Sequence, residues 1–461
     1  MRTPLFSVFA SVLLLVTSAG CRLEGHGDVQ ALKPMEQEPV TLKIMYENEE
    51  RFYSKYGNLF MAKYPNVNIE VASMEAMYRS NRYSIAAMEE WIERERPDVL
   101  YMMNMEQFVQ YAAEGKLYDM DMVIRQDRFD LNALAPSVVE LLREKGGGSL
   151  YGLGTTYYSL AMFYNKDLFD KYGVPYPQNR MSWEKVYKLA QRFAVETGDS
   201  LPVYGLQSRN GQHPYYFVKS IGGGQLLDMI DPVNQKLTLA SDAWVKIVRN
   251  AADVYKSGAL YLVQDWLHNK QTFGDPRNRD PFLAGRTAMA IDDVSLLRWL
   301  KEKGAKKEVT FDWDLVTVPV DPKHADTGSD FMFTDLFAIS SRSSQLRPAW
   351  EFIKYIHGEE YAKIKSRTET SLMTRVKASN EAYGRNLEAF YALKPADTLL
   401  YIGYNQIPAS FPQSFNVLAA SEIGAVFTGG KSPEEALGVL QTKGQELLDK
   451  AIQTQREESK K

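Results

Sequence analysis

Strand-like and helix-like segments alternate along most of the chain, and this alternation limits the possible folds more than any other feature. Leu42, Ile44 and Tyr46 recur at every second position, as in a strand, and apolar residues follow at helical spacing through residues 52–60. Further strand-like runs lie at residues 67–71, 99–103, 159–164, 288–291, 315–318 and 336–339. Helical patterns follow several of these runs, so the order of segments predicts an α/β body.

The first 39 residues differ from this body. Arg2 precedes an apolar run at residues 5–16, which is shorter than the about 20 residues that cross a membrane as a helix. The tripeptide Ser-Ala-Gly then precedes Cys21, an arrangement that resembles the lipobox of bacterial lipoproteins. We predict a signal peptide at residues 1–20, a lipid on Cys21 and a flexible tether at residues 21–39. The alternative is an ordinary signal peptide, with Cys21 an incidental or buried thiol.

The composition suits a globular protein and argues against several classes of function. The chain is 45% hydrophobic and 24% charged with a net charge of −4, so it can bury large cores and lacks the basic surplus typical of nucleic-acid binding. Cys21 is its one cysteine and its five histidines are scattered, so we expect neither an internal disulfide nor a His/Cys metal site. We predict no cofactor, because no G-x-S-x-G, H-E-x-x-H or phosphate-binding loop occurs. About 440 residues remain after the signal peptide, enough for two or three domains.

Five stretches carry a resemblance to a known family and occur in that family's order. They are residues 97–117, 151–184, 282–289, 311–319 and 432–440. Within the second stretch, residues 164–169 read Tyr-Asn-Lys-Asp-Leu-Phe, which is similar to the family's best-known signature. The family is that of the extracellular solute-binding proteins of bacterial ABC importers, which includes maltose-binding protein. The similarity covers about residues 40–455.

This resemblance implies a fold, a partner and a location. The family fold is α/β and two-lobed, of the type II periplasmic-binding-protein kind, and its lobes close on a solute held in the cleft between them. By resemblance, lobe 1 comprises residues 40–152 and 320–372, and lobe 2 comprises residues 156–316 and 378–455. The chain is expected to cross between the lobes near residues 151–155, 316–319 and 371–376. The corresponding expectation is a monomer on the outer face of the cell membrane that serves the permease of an ABC importer.

Candidate ligand-binding residues follow the strands, because α/β sheets bind ligands at the carboxyl ends of their strands. In lobe 1 the strand ends and the resemblance select Asn48, Glu50, Arg51, Asn104, Glu106, Gln107, Tyr157, Tyr158 and Asp335. In lobe 2 they select His213, Tyr215, a loop at Gly222, Gly223 and Gly224, and Trp266, Asp293, Phe411, Phe415 and Asn416. For Asn48 and Glu50 the alternative interpretation is a capped helix start, where both residue types are favoured.

The aromatic residues indicate the class of solute. The chain is 12% aromatic with 27 tyrosines, and a sugar site needs aromatic rings against C–H faces and polar side chains around the hydroxyls. We therefore predict a carbohydrate, and the resemblance favours an oligosaccharide, although Met102 and Met103 stand where related proteins stack a tryptophan. A polyamine, a phosphonate or a metal chelate bound by the same fold remains the alternative.

A secreted glycosidase is a third hypothesis, and the sequence argues against it. Such an enzyme needs two carboxylates that face one bond at a defined separation. Asp292 and Asp293 are adjacent at the end of a predicted strand, where consecutive side chains point to opposite faces. We predict a binding protein that performs no catalysis.

Overall fold

The computed structural model describes residues 31–79, 85–193, 202–211, 213–262, 280–328, 332–368, 371–395 and 404–458. Within these ranges the α/β class predicted from the alternation of segments is confirmed, with two large sheets and helices between most of their strands. None of the described helices is long and apolar enough to span a bilayer.

The strands of the described residues are short, as is typical of α/β proteins. They are β1 Val40–Tyr46, β2 Val67–Ser73, β3 Val99–Met102, β4 Gly152–Tyr158, β5 Ala161–Asn165, β6 Tyr204–Ser208, β7 Ile230–Asp231, β8 Lys236–Leu237, β9 Leu260–Tyr261, β10 Thr287–Asp292, β11 Trp313–Thr317, β12 Thr327–Gly328, β13 Met332–Ile339, β14 Leu372–Met373 and β15 Lys394–Pro395.

The helices of the described residues range from one turn to seven turns. They are α1 Glu49–Phe52, α2 Asn58–Lys63, α3 Glu75–Arg79, α4 Ile85–Glu95, α5 Met105–Ala113, α6 Asp121–Gln126, α7 Pro136–Lys145, α8 Lys166–Tyr172, α9 Trp183–Ala190, α10 Pro214–Gly224, α11 Asp242–Lys256, α12 Val294–Ala305, α13 Leu346–Ile356, α14 Glu359–Lys365, α15 Val376–Tyr383, α16 Glu388–Tyr391, α17 Phe411–Phe427 and α18 Pro433–Glu458. A π-helical turn, Tyr53–Gly57, joins α1 to α2.

The two large sheets form the centres of two lobes. The sheet of lobe 1 has the strand order β14-β4-β13-β3-β1-β2, and the sheet of lobe 2 has the order β11-β5-β10-β6-β9. In lobe 1, β1 is parallel to β2 and β3, whereas β13 lies antiparallel between β3 and β4. In lobe 2, β10 is parallel to β6 and antiparallel to β5. Consecutive residues of β5 face opposite sides, so Phe163 packs towards lobe 1 and Met162 into the core of lobe 2.

The chain passes from lobe 1 to lobe 2 directly after β4. This strand stays paired with β13 through Tyr158, and β5 begins in the second sheet at Ala161. Residues 159 and 160 therefore connect the sheets. The sequence placed this crossing at residues 151–155, but residues 152–155 belong to β4, and pairing with β13 holds them in the first sheet.

Helices α15 and α16 lie against both lobes. Phe390 packs against Phe163 of β5 with ring centroids 5.9 Å apart, and Tyr391 packs against Tyr157 of β4 at 5.3 Å. The Tyr391 carbonyl also accepts a hydrogen bond of 2.9 Å from Ser137 in α7. Residues 376–391 therefore contact lobe 1 as well as lobe 2, to which the sequence assigned them from residue 378.

A partly buried charge network holds α13 against the rest of lobe 1. The carboxylate of Asp127 accepts two hydrogen bonds of 2.9 Å from Arg347, one of 2.7 Å from Lys354 and one of 3.0 Å from the indole of Trp350. Burial alone would raise the pKa of Asp127, but these hydrogen bonds outweigh it and lower the pKa to about 2. Glu351 pairs with the same two cations, so the network holds two anions and two cations.

Candidate functional site

The carboxyl ends of the parallel strands in both lobes border the same gap. Since β4 is antiparallel to β13 and β13 is antiparallel to β3, β4 runs in the direction of β1 and β3 and ends with them at one edge. At that edge the chain passes from β4 to β5 in the sheet of lobe 2. Ala161, the first residue of β5, pairs with Asp292, the last residue of β10. The carboxyl ends of β6 and β10 in lobe 2 therefore face those of lobe 1 across the crossing, where α/β sheets bind ligands.

A pocket of about 440 Å³ opens at the carboxyl ends of β6 and β10. Its polar lining comes from both strands and from the residues that follow them. We call it the β6–β10 pocket, and it is lined by Gln207, Ser208, Arg209, Asn210, Gly211, Tyr216, Tyr261, Asp280, Asp292, Ser295, Leu296 and Trp299.

Arg209 and two aspartates form the charged wall of this pocket. The guanidinium lies 3.3 Å from the Asp292 carboxylate and 3.1 Å from that of Asp293. Asp293 caps α12, since its carboxylate accepts a hydrogen bond of 2.7 Å from the Ser295 N–H. Asp292 lines the pocket, and burial raises its pKa to about 7, with a smaller contribution from the negative charge of Asp293. This carboxyl can therefore exist in both protonation states near neutral pH, as a hydrogen-bond donor or acceptor.

Two aromatic rings are exposed in the same pocket. Trp299 of α12 is 42% exposed, and Tyr216 of α10 is 45% exposed. Helical periodicity explains the exposure of Trp299. The buried face of α12 carries Leu296, Leu297 and Leu300, and Trp299 lies outside that face. Large rings left open beside charged side chains can bind the apolar face of a solute whose rim is polar.

The predicted residues at the end of β1 border an open groove of lobe 1. Asn48, Glu50 and Arg51 line it. The Asn48 side chain also caps α1, since it accepts a hydrogen bond of 2.9 Å from the Arg51 N–H, and Arg51 forms an ion pair with Glu47. Glu50 is exposed in the first turn. Both interpretations of this segment therefore apply, a helix start and a polar groove at a strand end.

The predicted residues after β3 mainly stabilise the first turn of α5. Asn104 caps α5 by accepting a hydrogen bond of 2.8 Å from the Gln107 N–H. The side-chain oxygen of the buried Gln107 accepts a hydrogen bond of 3.0 Å from the Met103 N–H. This bond stabilises the connection between β3 and α5. Glu106 lies in the first turn and is partly buried.

Tyr157, Tyr158 and Asp335 lie at the edge of lobe 1 that faces the gap, but at different depths. Tyr157 is 1% exposed and packs on Tyr391, so its ring has no face open to a solute. Tyr158 is partly buried and close enough to Arg209 of lobe 2 to interact with its charge. Asp335 is buried, where it accepts hydrogen bonds from Tyr46 at 3.1 Å and Thr156 at 3.2 Å and pairs with Lys55.

The other predicted residues of lobe 2 that the structure describes pack within the lobe or cap a helix. The buried Tyr215 donates a hydrogen bond of 2.8 Å to the side chain of Asn416. The buried rings of Phe411 and Phe415 stack on each other with centroids 5.2 Å apart. His213 caps α10, at the opening of the helix. Trp266 and Cys21 lie outside the described residues.

Gly222, Gly223 and Gly224 are not a loop lining the cleft. They form the last turn of α10 and are buried. A Cβ on Gly222 would lie 2.0 Å from the indole of Trp244, so α10 and α11 approach each other too closely for any side chain there. Gly222 therefore serves helix packing, which a run of three glycines in a sequence does not distinguish from a turn.

Comparisons with known proteins identify the family. A family model described as bacterial extracellular solute-binding protein matches residues 46–363, which is more than half of the chain. The chain belongs to this family. A binding protein of Brucella abortus (strain 2308) is 24% identical over 275 residues, which are 58% of this chain and 60% of that protein. The chain thus spans about 60% of the length of the curated relatives it matches.

Solved structures share the fold of this solute-binding protein. A sugar transporter of Rhizobium etli in an open conformation is 20% identical with a TM-score of 0.58, and the match covers 88% of this chain and 99% of that one. A cyclic alpha-maltosyl-1,6-maltose binding protein of Arthrobacter globiformis is 14% identical with a TM-score of 0.53, covering 89% and 99%. The two-lobed fold predicted from the resemblance is confirmed.

Sequence reasoning missed Arg209, Tyr216 and Trp299 of this solute-binding protein. A signal existed for Arg209, which is the first residue after β6, just as Asp293 follows β10. Trp299 could have been found from the helical pattern, because it falls outside the leucine face of α12. Tyr216 follows the predicted Tyr215, and only the structure shows which of the two rings is exposed.

Replacing Asp292 by asparagine should reduce the pH dependence of stability. The pKa of Asp292 is about 7 in the folded protein against an ordinary value of 3.8. The folded state therefore holds the extra proton, and stability falls as the pH rises from about 4 to about 7. Asparagine has no proton to lose in this range, so it removes this contribution of Asp292. We expect the unfolding free energy of the variant to decrease between pH 5 and pH 8 by about 1–3 kcal/mol less than that of the wild type.

Urea unfolding at pH 5 and pH 8 measures this difference. Asp314→Asn, on the exposed side of β11, is the control and should keep the wild-type dependence. An Asp292→Asn protein with the wild-type slope would show that this carboxyl does not titrate in that range.

Proposed function

We propose that the protein captures a carbohydrate in the β6–β10 pocket, with lobe 1 closing over it, and delivers it to the permease of an ABC importer. The observation that carries this proposal is the pairing of two exposed rings, Tyr216 and Trp299, with the Arg209–Asp292 wall at the carboxyl ends of the strands. A sugar offers C–H faces to such rings and hydroxyl groups to such a wall.

The mixed charges of the pocket favour a neutral solute with hydroxyl groups over a polyamine or a phosphonate. A polyamine would meet the guanidinium of Arg209, and a phosphonate would meet the carboxyl groups of Asp280 and Asp292. A sugar hydroxyl both donates and accepts hydrogen bonds, so it suits Arg209 and Asp292 at once. The Gln207 amide, held at 2.8 Å from Asp280, adds a further polar group.

The likeness to other solute-binding proteins supports the same class of solute. Two structures that share the fold are described as a sugar transporter and as a cyclic maltosyl-maltose binding protein. Family membership implies a location outside the cytoplasm. The length of the sugar and its linkage depend on lobe 1, whose groove at Asn48, Glu50 and Arg51 forms the opposite wall in this proposal.

A thermal-shift panel tests the proposal. Mono- and oligosaccharides, polyamines, phosphonates and ferric chelates are each added to the purified protein. A carbohydrate at about 100 times its Kd should stabilise the protein by about 2.7 kcal/mol, which corresponds to a rise of roughly 5–10 °C in Tm. A rise with a polyamine, a phosphonate or a chelate and none with any sugar would contradict the carbohydrate assignment. Recovery of the sugar unchanged after prolonged incubation is expected of a binding protein without catalysis.

We further propose that a lipid on Cys21 anchors the protein to the cell membrane, with residues 21–39 as the tether. Cys21→Ala removes the thiol to which acyl chains attach, so the protein should move from the membrane fraction to the soluble fraction. Fractionation of expressing cells with an immunoblot measures this. Thr17→Ala, which leaves Cys21 in place, should stay with the membrane, and a membrane-bound Cys21→Ala protein would refute the anchor.

A further inference from the structure

Three carboxyl groups share one cation in and beside the β6–β10 pocket. Asp280 and Asp292 line the pocket, and Asp293 follows Asp292 in the chain. Among the described residues of the lining, Arg209 is the one cation, and it lies 3.3 Å from Asp292 and 3.1 Å from Asp293. With all three acids ionised, the group carries an excess of negative charge. Acidic groups held this close favour the uptake of a proton by one of them.

Two of the three acids have contacts that stabilise the ionised form. Asp280 accepts hydrogen bonds of 2.8 Å from the Gln207 side-chain amide and of 2.9 and 3.3 Å from two backbone N–H groups. Asp293 lies at the amino-terminal end of α12, where one of its oxygens accepts from the Ser295 N–H and the other lies beside Arg209. The proton therefore belongs on the third acid.

The contacts of Asp292 fall on one of its two oxygens. Oδ1 accepts a hydrogen bond of 2.7 Å from the Asp293 N–H and one of 3.3 Å from Arg209. Oδ2 receives no hydrogen bond from any residue that the structure describes, and it is not among the buried atoms without a partner. The side chain is 15% exposed and lines the pocket, so a solute can reach Oδ2. Burial raises the pKa of Asp292 to about 7, in agreement with this arrangement.

The remaining titratable groups that the structure places around this carboxyl are tyrosines. Tyr216 and Tyr261 line the same pocket, and Tyr158 at the end of β4 lies close enough to Arg209 to interact with its charge. Tyrosine hydroxyl groups are uncharged near neutral pH, so they do not offset the excess of negative charge.

The groove of lobe 1 adds further negative charge when it closes over the pocket. Glu49 and Glu50 line this groove, whereas Arg51 and Glu75 in the same lining already form ion pairs with opposite charges. Closure over a solute also removes the water that remains around Asp292. Both changes disfavour the ionised form of this carboxyl.

We propose that Asp292 binds the solute as a neutral carboxylic acid, with Oδ2–H donating a hydrogen bond to a solute oxygen, so that binding takes up a proton. This inference rests on the proposed function, because it concerns the same pocket. The solute atom at Asp292 must then be an acceptor. A sugar hydroxyl, ring oxygen or glycosidic oxygen is one, whereas an ammonium group of a polyamine has no lone pair to offer.

Titration calorimetry at pH 5.5 and pH 8.5 tests the inference, with glucose, maltose, cellobiose, lactose and raffinose as probes. With the pKa of Asp292 at about 7 in the free protein, the affinity for the sugar that binds should fall about 30-fold between these pH values. Titrations at pH 7.5 in buffers of different ionisation enthalpy should show the uptake of about 0.7 proton per bound sugar.

Two variants separate the acid from a merely structural role. The amide of Asp292→Asn donates a hydrogen bond at every pH, so this protein should bind equally at both pH values and at least tenfold more tightly than the wild type at pH 8.5. Asp314→Asn, on the exposed side of β11, should keep the wild-type profile. Circular dichroism confirms that each protein is folded at both pH values.

The outcomes distinguish this inference from the proposed function. A wild type that binds a sugar equally at pH 5.5 and pH 8.5 without proton uptake would overturn the inference and leave the proposed function in place. Weaker binding by Asp292→Asn than by the wild type at pH 8.5 would do the same. If neither these probes nor any other sugar of the thermal-shift panel binds, the proposed function fails and the inference fails with it.

Discussion

Replacing Trp299 by alanine is expected to weaken carbohydrate binding about 10- to 100-fold, which corresponds to about 1.5–3 kcal/mol. The ring is 42% exposed and lines the β6–β10 pocket, so a bound sugar would cover it. Its removal leaves no large cavity in the core, because Leu296, Leu297 and Leu300 supply the packing face of α12. Tm should therefore change by no more than a few degrees, and the effect should fall on affinity.

Titration calorimetry measures the affinity, with the sugar that gives the largest thermal shift. Tyr176→Ala is a matched control, since Tyr176 is also a large ring of lobe 2, is 40% exposed and does not line the pocket. Trp299→Phe keeps a smaller ring and should lie between alanine and the wild type. Equal affinities of the wild type and Trp299→Ala would remove Trp299 from the site.

Replacing Asp127 by asparagine is expected to destabilise lobe 1 by about 3 kcal/mol, because it leaves two partly buried cations with one anion fewer. The Asp127 side chain is 11% exposed and receives bonds from Arg347, Lys354 and Trp350. Glu351 remains as a partner for both cations, which keeps the loss at the lower end of the range for a broken buried pair. Tm should fall by roughly 6–12 °C.

The pH dependence of this loss is fixed by the sign of the pKa shift. The pKa of Asp127 is about 2 in the folded protein against an ordinary value of 3.8. The carboxylate therefore stabilises the fold fully above about pH 4, and this stability is lost as the pH falls through about 2. Urea unfolding at pH 7 should show the full difference between wild type and variant.

An exposed ion pair provides the control for Asp127. Asp312 pairs with Lys166 at 2.6 Å, but its side chain is 55% exposed. Asp312→Asn should cost no more than about 1 kcal/mol. If Asp127→Asn costs as little as this control, the network around α13 contributes nothing beyond a surface pair.

Local patterns predicted most of the fold. The alternation at residues 42–46 and the apolar runs at 99–103, 288–291 and 336–339 correspond to β1, β3, β10 and β13. The resemblance predicts a crossing at residues 151–155, which include Gly152 and Gly154, whereas β4 continues in the first sheet through Tyr158. Glycine permits unusual backbone angles, but here Gly152 lies so close to β13 that a Cβ would be 2.9 Å from the Phe337 carbonyl.

The site was predicted less completely, because its members are distant in sequence. Arg209 and Asp292 are 83 residues apart and meet only where β6 and β10 pair. The sequence selects Asp293 at the end of β10, whereas in the structure Asp292 lines the pocket and Asp293 caps α12. Phe411 and Phe415 share one helix face, and the sequence does not say whether that face meets a cleft or a core.

A crystal structure of the protein with the carbohydrate that raises Tm most tests the central claim most directly. We predict a sugar ring against Trp299 or Tyr216, with hydroxyl groups within hydrogen-bond distance of Arg209 and Asp292 and with lobe 1 closed over it. A sugar bound away from the β6–β10 pocket, or an amine, phosphonate or metal chelate in its place, would contradict the account.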